Sequence, residues 1–264
     1  MSKPKVAVYK FSSCDGCQLS ILNLEDELLD LVGAVEIAYF LEARRATLPG
    51  PYDVALVEGS VTTPHEAERI QEIRRQSKVL IALGTCATAG GIQALRNFVK
   101  VDDLALAVYP HPEYLHTLQT STPIAEHVKI DMELWGCPVN KYQVVEVIAA
   151  LLQNRRPNLP THSVCLDCKR KGTVCVLVAS GIPCLGPATR TGCGAICPSK
   201  GRGCYGCFGP APQAELPALV PVLRSLERHS SETVQLLRNF SGYAPAFRQA
   251  ADELVPPDKM AELA

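Results

Sequence analysis

The chain has 264 residues, 47% of them apolar, with 26 Lys and Arg against 27 Asp and Glu. That length and apolar share allow one large or two small folded domains and exclude bulk disorder, and the formal charge of −1 gives no reason to expect nucleic acid as a partner. Twelve residues are Cys, too many for a chain of this size to need as disulfide staples.

The N-terminus carries Lys3 and Lys5 ahead of only a short apolar run, Val6 to Tyr9, so no export signal is expected. No window nears the 18 apolar residues of a membrane span. The expected compartment is the cytoplasm, where thiols stay reduced and clustered cysteines serve as metal ligands or redox groups.

Short runs rich in β-branched and aromatic residues predict strands at Val6–Phe11, Val35–Phe40, Val54–Val57, Val79–Leu83 and Ile130–Trp135. Helical patterns lie between them. Gln18–Val32 places Leu19, Leu22, Leu28, Leu29 and Val32 near helical spacing. Pro64 after Thr62 and Thr63 marks a helix start running through Ile70 and Ile73, and Asn140–Leu152 is a further amphipathic candidate. This alternation predicts an α/β fold, a doubly wound parallel sheet of flavodoxin-like type over residues 1–155.

The composition then changes. Arg155 to Pro160 reads as a linker. Residues 161–210 hold eight cysteines with many Gly and Pro and little periodicity, so a bound group has to organise them. Helical patterning returns over 214–255 through Leu216, Leu219, Val222, Leu223 and Leu226. The expected second domain is an irregular cysteine-rich unit with helices over 161–264.

Cys14, Cys17, Cys86 and Cys137 are far apart in sequence, yet each follows a predicted strand. The carboxyl ends of parallel strands form the ligand-binding edge of such a sheet, so four thiols are expected to meet there. Gly16, Gly84 and Gly136 beside them would let backbone approach and donate N–H groups to sulfur. A reduced C-x2-C pair with two core cysteines is the plainer alternative. The later cysteines run Cys165, Cys168, Cys175, Cys184, then Cys193, Cys197, Cys204, Cys207. Two sets of four permit two zinc sites or two 4Fe–4S clusters, and spacing does not choose. Six cations in 161–210 against Asp167 alone suit either metal–thiolate, or a basic loop that docks a partner.

Other candidates carry less. His65, His111, His116, His127, His162 and His229 show no metal-ligand spacing. Trp135 reads as packing beside Cys137, and Gly90-Gly91 belongs to no phosphate-loop pattern.

Ser13-Cys14-Asp15-Gly16-Cys17, Glu58-Gly59-Ser60, the run from Gly84 to Gly91 and Gly136 to Asn140 resemble, in order, the motifs of NiFe-hydrogenase small subunits of the cytoplasmic, NAD(P)-linked branch. The resemblance spans nearly the whole chain. It implies a flavodoxin-like domain whose Cys14, Cys17, Cys86 and Cys137 hold a proximal 4Fe–4S cluster beside the nickel–iron site of a separate large subunit. It assigns Cys193, Cys197, Cys204 and Cys207 to a medial 4Fe–4S cluster, and Cys165, Cys168, Cys175 and Cys184 to a distal one. Cys165 stands where periplasmic members carry His. Cys197 supplies a fourth medial thiolate that those members often lack. Ser13 replaces a Glu thought to carry protons there. Glu58 is similar to a family Glu, and a plain helix-capping role is its alternative. The implied activity is hydrogen oxidation or proton reduction as a hydrogenase subunit with no catalytic residue of its own. The implied partners are the large subunit, a flavin- and NAD(P)-binding diaphorase subunit and a further iron–sulfur subunit. Delivery to a deazaflavin or heterodisulfide-reductase acceptor, and a zinc-organised interaction protein, are the alternatives.

Overall fold

The computed structural model describes residues 3–227, 229 and 231–255; the outermost residues of both expected domains, 1, 2 and 256–264, lie outside the described residues. Five strands form one parallel sheet: β1 (Lys5–Lys10), β2 (Glu36–Phe40), β3 (Tyr52–Glu58), β4 (Ser77–Leu83) and β5 (Met132–Leu134). Their order is β2-β1-β3-β4-β5, the flavodoxin-type order, whose switch point lies between β1 and β3. All five strands fall where the apolar runs predict them.

Alternate side chains on each strand enter opposite cores. Val6, Val8, Val54, Leu56, Ile81 and Leu83 join one, and Ala7, Tyr9, Ala55, Val57, Leu80 and Ala82 the other. Both faces are buried, so the strands read as continuous apolar runs rather than alternating ones.

The single helix expected over Gln18–Val32 is two: α1 (Gly16–Leu22) and α2 (Asp26–Ala34). Glu25, with φ of +56°, separates them, and Leu24 drops fully into the core at the break. The expected apolar face is corrected with it. Leu19, Leu29 and Val32 are exposed, while Ile21, Leu24 and Leu31 are buried.

Helix α3 (Pro64–Gln76) starts at the predicted place. Thr63 accepts from Glu66 N and the Glu66 carboxylate accepts from Thr63 N, a reciprocal cap. Helix α4 (Gly84–Ala89) follows β4 directly, then a 3-10 helix (Ile92–Phe98) and α5 (Val101–Val108). Helix α6 (Lys141–Leu152) is capped by the Asn140 side chain, which accepts from Tyr142 N and Gln143 N.

The cysteine-rich stretch contains only α7 (Val164–Arg170), α8 (Val176–Ser180) and a short 3-10 turn at Pro198–Lys200. Its apolar core is small: Val164, Val176 and Ala195 with the thiols of Cys184 and Cys204. Helices α9 (Leu216–Ser225), α10 (Glu232–Leu237) and α11 (Pro245–Asp252) pack together through Leu216, Leu219, Leu223, Leu237 and Phe247. Val222, expected on that buried face, is exposed. Leu185 and Ala188 join this core from the cysteine-rich stretch, so the helices carry it.

Candidate metal centres

Cys14 and Cys17 stand just past β1, Cys86 lies in α4 just past β4, and Cys137 just past β5. The four thiols meet as expected. Burial pushes the Cys17 thiol well above the usual thiol range, and Glu58, Cys86 and Cys137 add to the effect. Burial lifts Cys86 to about 12, with Cys137, Cys14 and Glu58 contributing. Cys137 is raised by burial, then by Cys14 and Glu58. Each effect requires the named charges to be near neighbours.

Two glycines make room for them. Gly84 has φ of +83° and its missing side chain would overlap the Cys17 sulfur. Gly91 has φ of +66°, and a Cβ there would sit 2.5 Å from the Cys86 sulfur. Any L side chain would be strained at these angles and would fill the thiol cradle. The expectation that Gly16, Gly84 and Gly136 donate to sulfur is corrected for Cys17. Its backbone donor is Val139, which lowers the thiol's proton affinity against the effect of burial.

Glu58 is 2% exposed at the end of β3, at the switch point. Its carboxylate accepts from Cys17 N at 2.9 Å and from Gln18 Nε2 at 2.7 Å. It therefore caps α1 rather than α3, the helix that follows it in sequence. Burial raises its proton affinity, while the bonds from Gln18 and Cys17 oppose that shift. Glu58→Ala should cost about 2–6 kcal/mol in denaturant unfolding, because it orphans two buried donors at about 1–3 kcal/mol each. Glu58→Gln, which keeps an acceptor for Cys17 N, should lose clearly less.

Sequence reasoning missed three residues here. Gln18, 1% exposed, orients Glu58. Gln93 donates to Ser12 O at 2.6 Å and places its carbonyl 3.5 Å from the Cys86 sulfur. Thr85 Oγ1 donates to Cys207 O at 2.6 Å, tying the first thiol set to the last pair. A buried Gln has no periodic signature, and Thr85 and Cys207 are 122 positions apart.

The eight later thiols lie near one another without dividing cleanly into two sets: Cys168 feels Cys193 as well as Cys184 and Cys175, and Cys197 feels Cys184 as well as Cys193. Cys165, pushed to about 11 by burial, feels Cys184, Cys168 and Cys175. Cys168 feels burial first, then Cys184 and Cys175. Cys207, lifted to about 12 by burial, feels Cys193, Cys137 and Cys197. Cys204 feels burial, then Cys184 and Cys207, and Gly206 N lowers it. Cys184 sulfur accepts from Cys204 N at 3.2 Å and from Gly186 N at 3.4 Å. Cys207 thus lies near enough to Cys137 to feel its charge, and Cys204 N meets the Cys184 sulfur directly. None of the twelve cysteines forms a disulfide.

Around them, Trp135 is buried, donates to Glu133 at 3.0 Å and backs onto Gly209, as packing requires. Asn140 Nδ2 donates to Gly192 O at 2.6 Å, tying α6 to the loop before Cys193. His127 pairs with Thr122 Oγ1, and burial lowers its proton affinity. No helix among the described residues is long and apolar enough to cross a membrane.

The class that this fold and site point to is a thiol-rich subunit built on a flavodoxin-type sheet, with four thiols at the strand ends and eight more beyond them. The chain belongs to the family of the NADH ubiquinone oxidoreductase 20 Kd subunit, whose pattern matches residues 14–151. It is 38% identical over 237 residues to sulfhydrogenase 2 subunit delta of Pyrococcus furiosus, covering 90% of this chain and 99% of that one. It is 37% identical over 234 residues to a vhu subunit of the F420-non-reducing hydrogenase of Methanocaldococcus jannaschii, covering 78% of this chain and 81% of that one. A crystal structure of an NAD+-reducing NiFe-hydrogenase in the H2-reduced state contains a similar chain, with a TM-score of 0.55 and 29% identity over 60% of this chain and 96% of that one. The hydrogenase-subunit resemblance carried by the cysteine motifs holds.

Proposed function

We propose that this chain is the electron-transfer small subunit of a cytoplasmic NiFe-hydrogenase, relaying electrons between a large subunit that cleaves hydrogen and a flavin- and NAD(P)-binding diaphorase. One observation supports this reading: the four strand-end thiols continue into the later eight, since Cys207 lies near enough to Cys137 to feel its charge and Cys204 N donates to the Cys184 sulfur. Closely spaced redox centres are what a one-electron relay needs, and unrelated structural sites have no reason to gather.

The assignments are Cys14, Cys17, Cys86 and Cys137 for a proximal 4Fe–4S cluster; Cys193, Cys197, Cys204 and Cys207 for a medial one; and Cys165, Cys168, Cys175 and Cys184 for a distal one. Such clusters, when bound, store and pass single electrons. The chain's own residues bury the thiols, space them, and aim N–H donors at sulfur, which tunes potential. The domains are assigned accordingly, 1–155 for the sheet and 161–264 for the other two sets.

A donor set of four thiols suits a 4Fe–4S cluster and a zinc site alike, so metal analysis decides between them.

The large subunit has a fitting surface. Cys14 is exposed, and beyond Cys86 the elements at 92–108 expose Ile92, Leu95, Leu104, Leu106 and Val108. Exposed apolar surface of this kind marks a protein interface. It is firmly held from behind. Asn97 and Ser121 exchange two hydrogen bonds, and the Arg238 guanidinium lies 4.4 Å from the Phe98 ring centre.

A second reading keeps the relay and changes the acceptor to a heterodisulfide-reductase or deazaflavin type. The 37% identity to a subunit of an F420-non-reducing hydrogenase leaves room for the heterodisulfide-reductase acceptor and speaks against the deazaflavin one. Anaerobic purification tests both readings. About twelve iron and twelve labile sulfide per chain, with a nickel-bearing large subunit, are expected. Stoichiometric zinc without sulfide overturns the relay. A co-purifying flavoprotein that reduces NAD(P) supports the first acceptor, and its absence beside another redox subunit supports the second.

A further inference from the structure

Helix α4 ends on two successive residues in the left-handed region, Gly90 with φ of +73° and Gly91 with φ of +66°. The turn they make leads from Cys86 into the 3-10 helix and sets Gln93 beside the Cys86 sulfur. Gly91 keeps that space open. A Cβ there would lie 2.5 Å from the sulfur and 2.6 Å from Gln93 Oε1, and any L residue would be strained at this φ.

The amide of Gln93 has a fixed orientation. Nε2 donates to Ser12 O at 2.6 Å, and Oε1 lies 3.5 Å from Cys86 Sγ. A backbone oxygen only accepts, so the NH2 end has to face Ser12. Ser12 stands two positions before Cys14, so the amide joins two of the thiol-bearing segments of the first set. An amide nitrogen carries two N–H groups. One is held by Ser12, and among the described residues no oxygen accepts the other. Gln93 favours the Cys86 thiolate against the effect of burial, the sense expected of a donor. A sulfur that binds metal has lost its proton and can only accept.

We propose that Gln93 is a positioning residue of the first metal centre: its second N–H donates to the Cys86 sulfur when that sulfur is a ligand, and the bond raises the reduction potential of the centre. The proposal rests on the relay reading above. A reduced cluster carries one more negative charge, shared by its sulfurs, so a donor stabilises the reduced form more than the oxidised one. Ile92 and Leu95, on either side of Gln93, are exposed. A large subunit seated over them would exclude water from the amide and strengthen the bond.

The test is a redox titration of the native complex followed by electron paramagnetic resonance. Gln93→Met keeps the length of the side chain and removes both N–H groups. At a fixed ambient potential it should lower the ratio of reduced to oxidised first centre about threefold or more, the worth of one such hydrogen bond. The later centres should keep their potentials, and iron content should stay full. A first centre that titrates unchanged, or at higher potential, overturns the proposal and leaves the relay standing. A second measurement needs no variant. With glutamine labelled by nitrogen-15 in the side chain, the first centre of the native complex should show a nitrogen-15 coupling, and its absence overturns the proposal. Gln18, the other amide beside this set, is committed to Glu58 and Asp15. A complex without iron and sulfide overturns the relay and this proposal together.

Discussion

Cys17→Ser should lower hydrogen-linked electron flow through the complex by more than about 100-fold. Loss of a residue that only supports a metal ligand already costs about 10–100-fold in affinity or activity, and Cys17 is itself a proposed ligand. It is buried at 6% exposure, with Glu58, Cys86 and Cys137 as near neighbours. A serine oxygen is shorter and harder than a thiolate and suits an iron–sulfur cluster poorly. The sheet should survive, because the strands hold one another by a continuous parallel ladder from β2 to β5. The measurement is hydrogen-dependent viologen reduction alongside iron content and circular dichroism. A variant that keeps more than a tenth of the activity with full iron removes Cys17 from the relay.

The second large effect concerns the stretch 161–210. Stripping iron and sulfide should open it to protease while β1–β5 stay protected. Its core has five members, and two of them are thiols. Helices α7 and α8 have seven and five residues, below the roughly 12–15 that an isolated helix needs. On the cluster reading, ligation would supply the missing cross-links, and metal binding and folding of this stretch would be one process.

Reloading should release protons. Burial holds the free Cys86 and Cys207 thiols near 12, so at neutral pH their protons must leave before sulfur can bind metal. Because the free thiols have raised pKa values, protons compete with metal throughout the neutral range. Apparent affinity therefore rises with pH. Limited proteolysis and pH-dependent reconstitution check both statements. Unchanged cleavage after iron loss, or affinity that falls as pH rises, contradicts them.

The sheet was legible because both of its faces are buried. That burial leaves uninterrupted apolar runs, and each observed strand falls within a residue or two of one. The Thr63 and Asn140 caps were legible for a related reason, since a cap is a contact within four residues. Helix α1 was read too long because its end is a tertiary event. Leu24 leaves the helical path to fill the core, and no residue between Leu22 and Asp26 is a strong local stop. Glu58 was legible as an acid at a strand end, but not as the acceptor for Cys17 and Gln18, which lie 41 and 40 positions earlier.

The amino-acid sequence by itself determined the number of thiols, their placement after strands and the flavodoxin-type alternation, because these depend on residue type and local period. Only the tertiary structure decided which thiols are neighbours, and that Gly84 and Gly91 clear the space for sulfur. Those facts depend on crossovers that bring distant residues together. The twelve cysteines are thus a compositional fact with a spatial meaning: the chain supplies the thiols, and the fold gathers them.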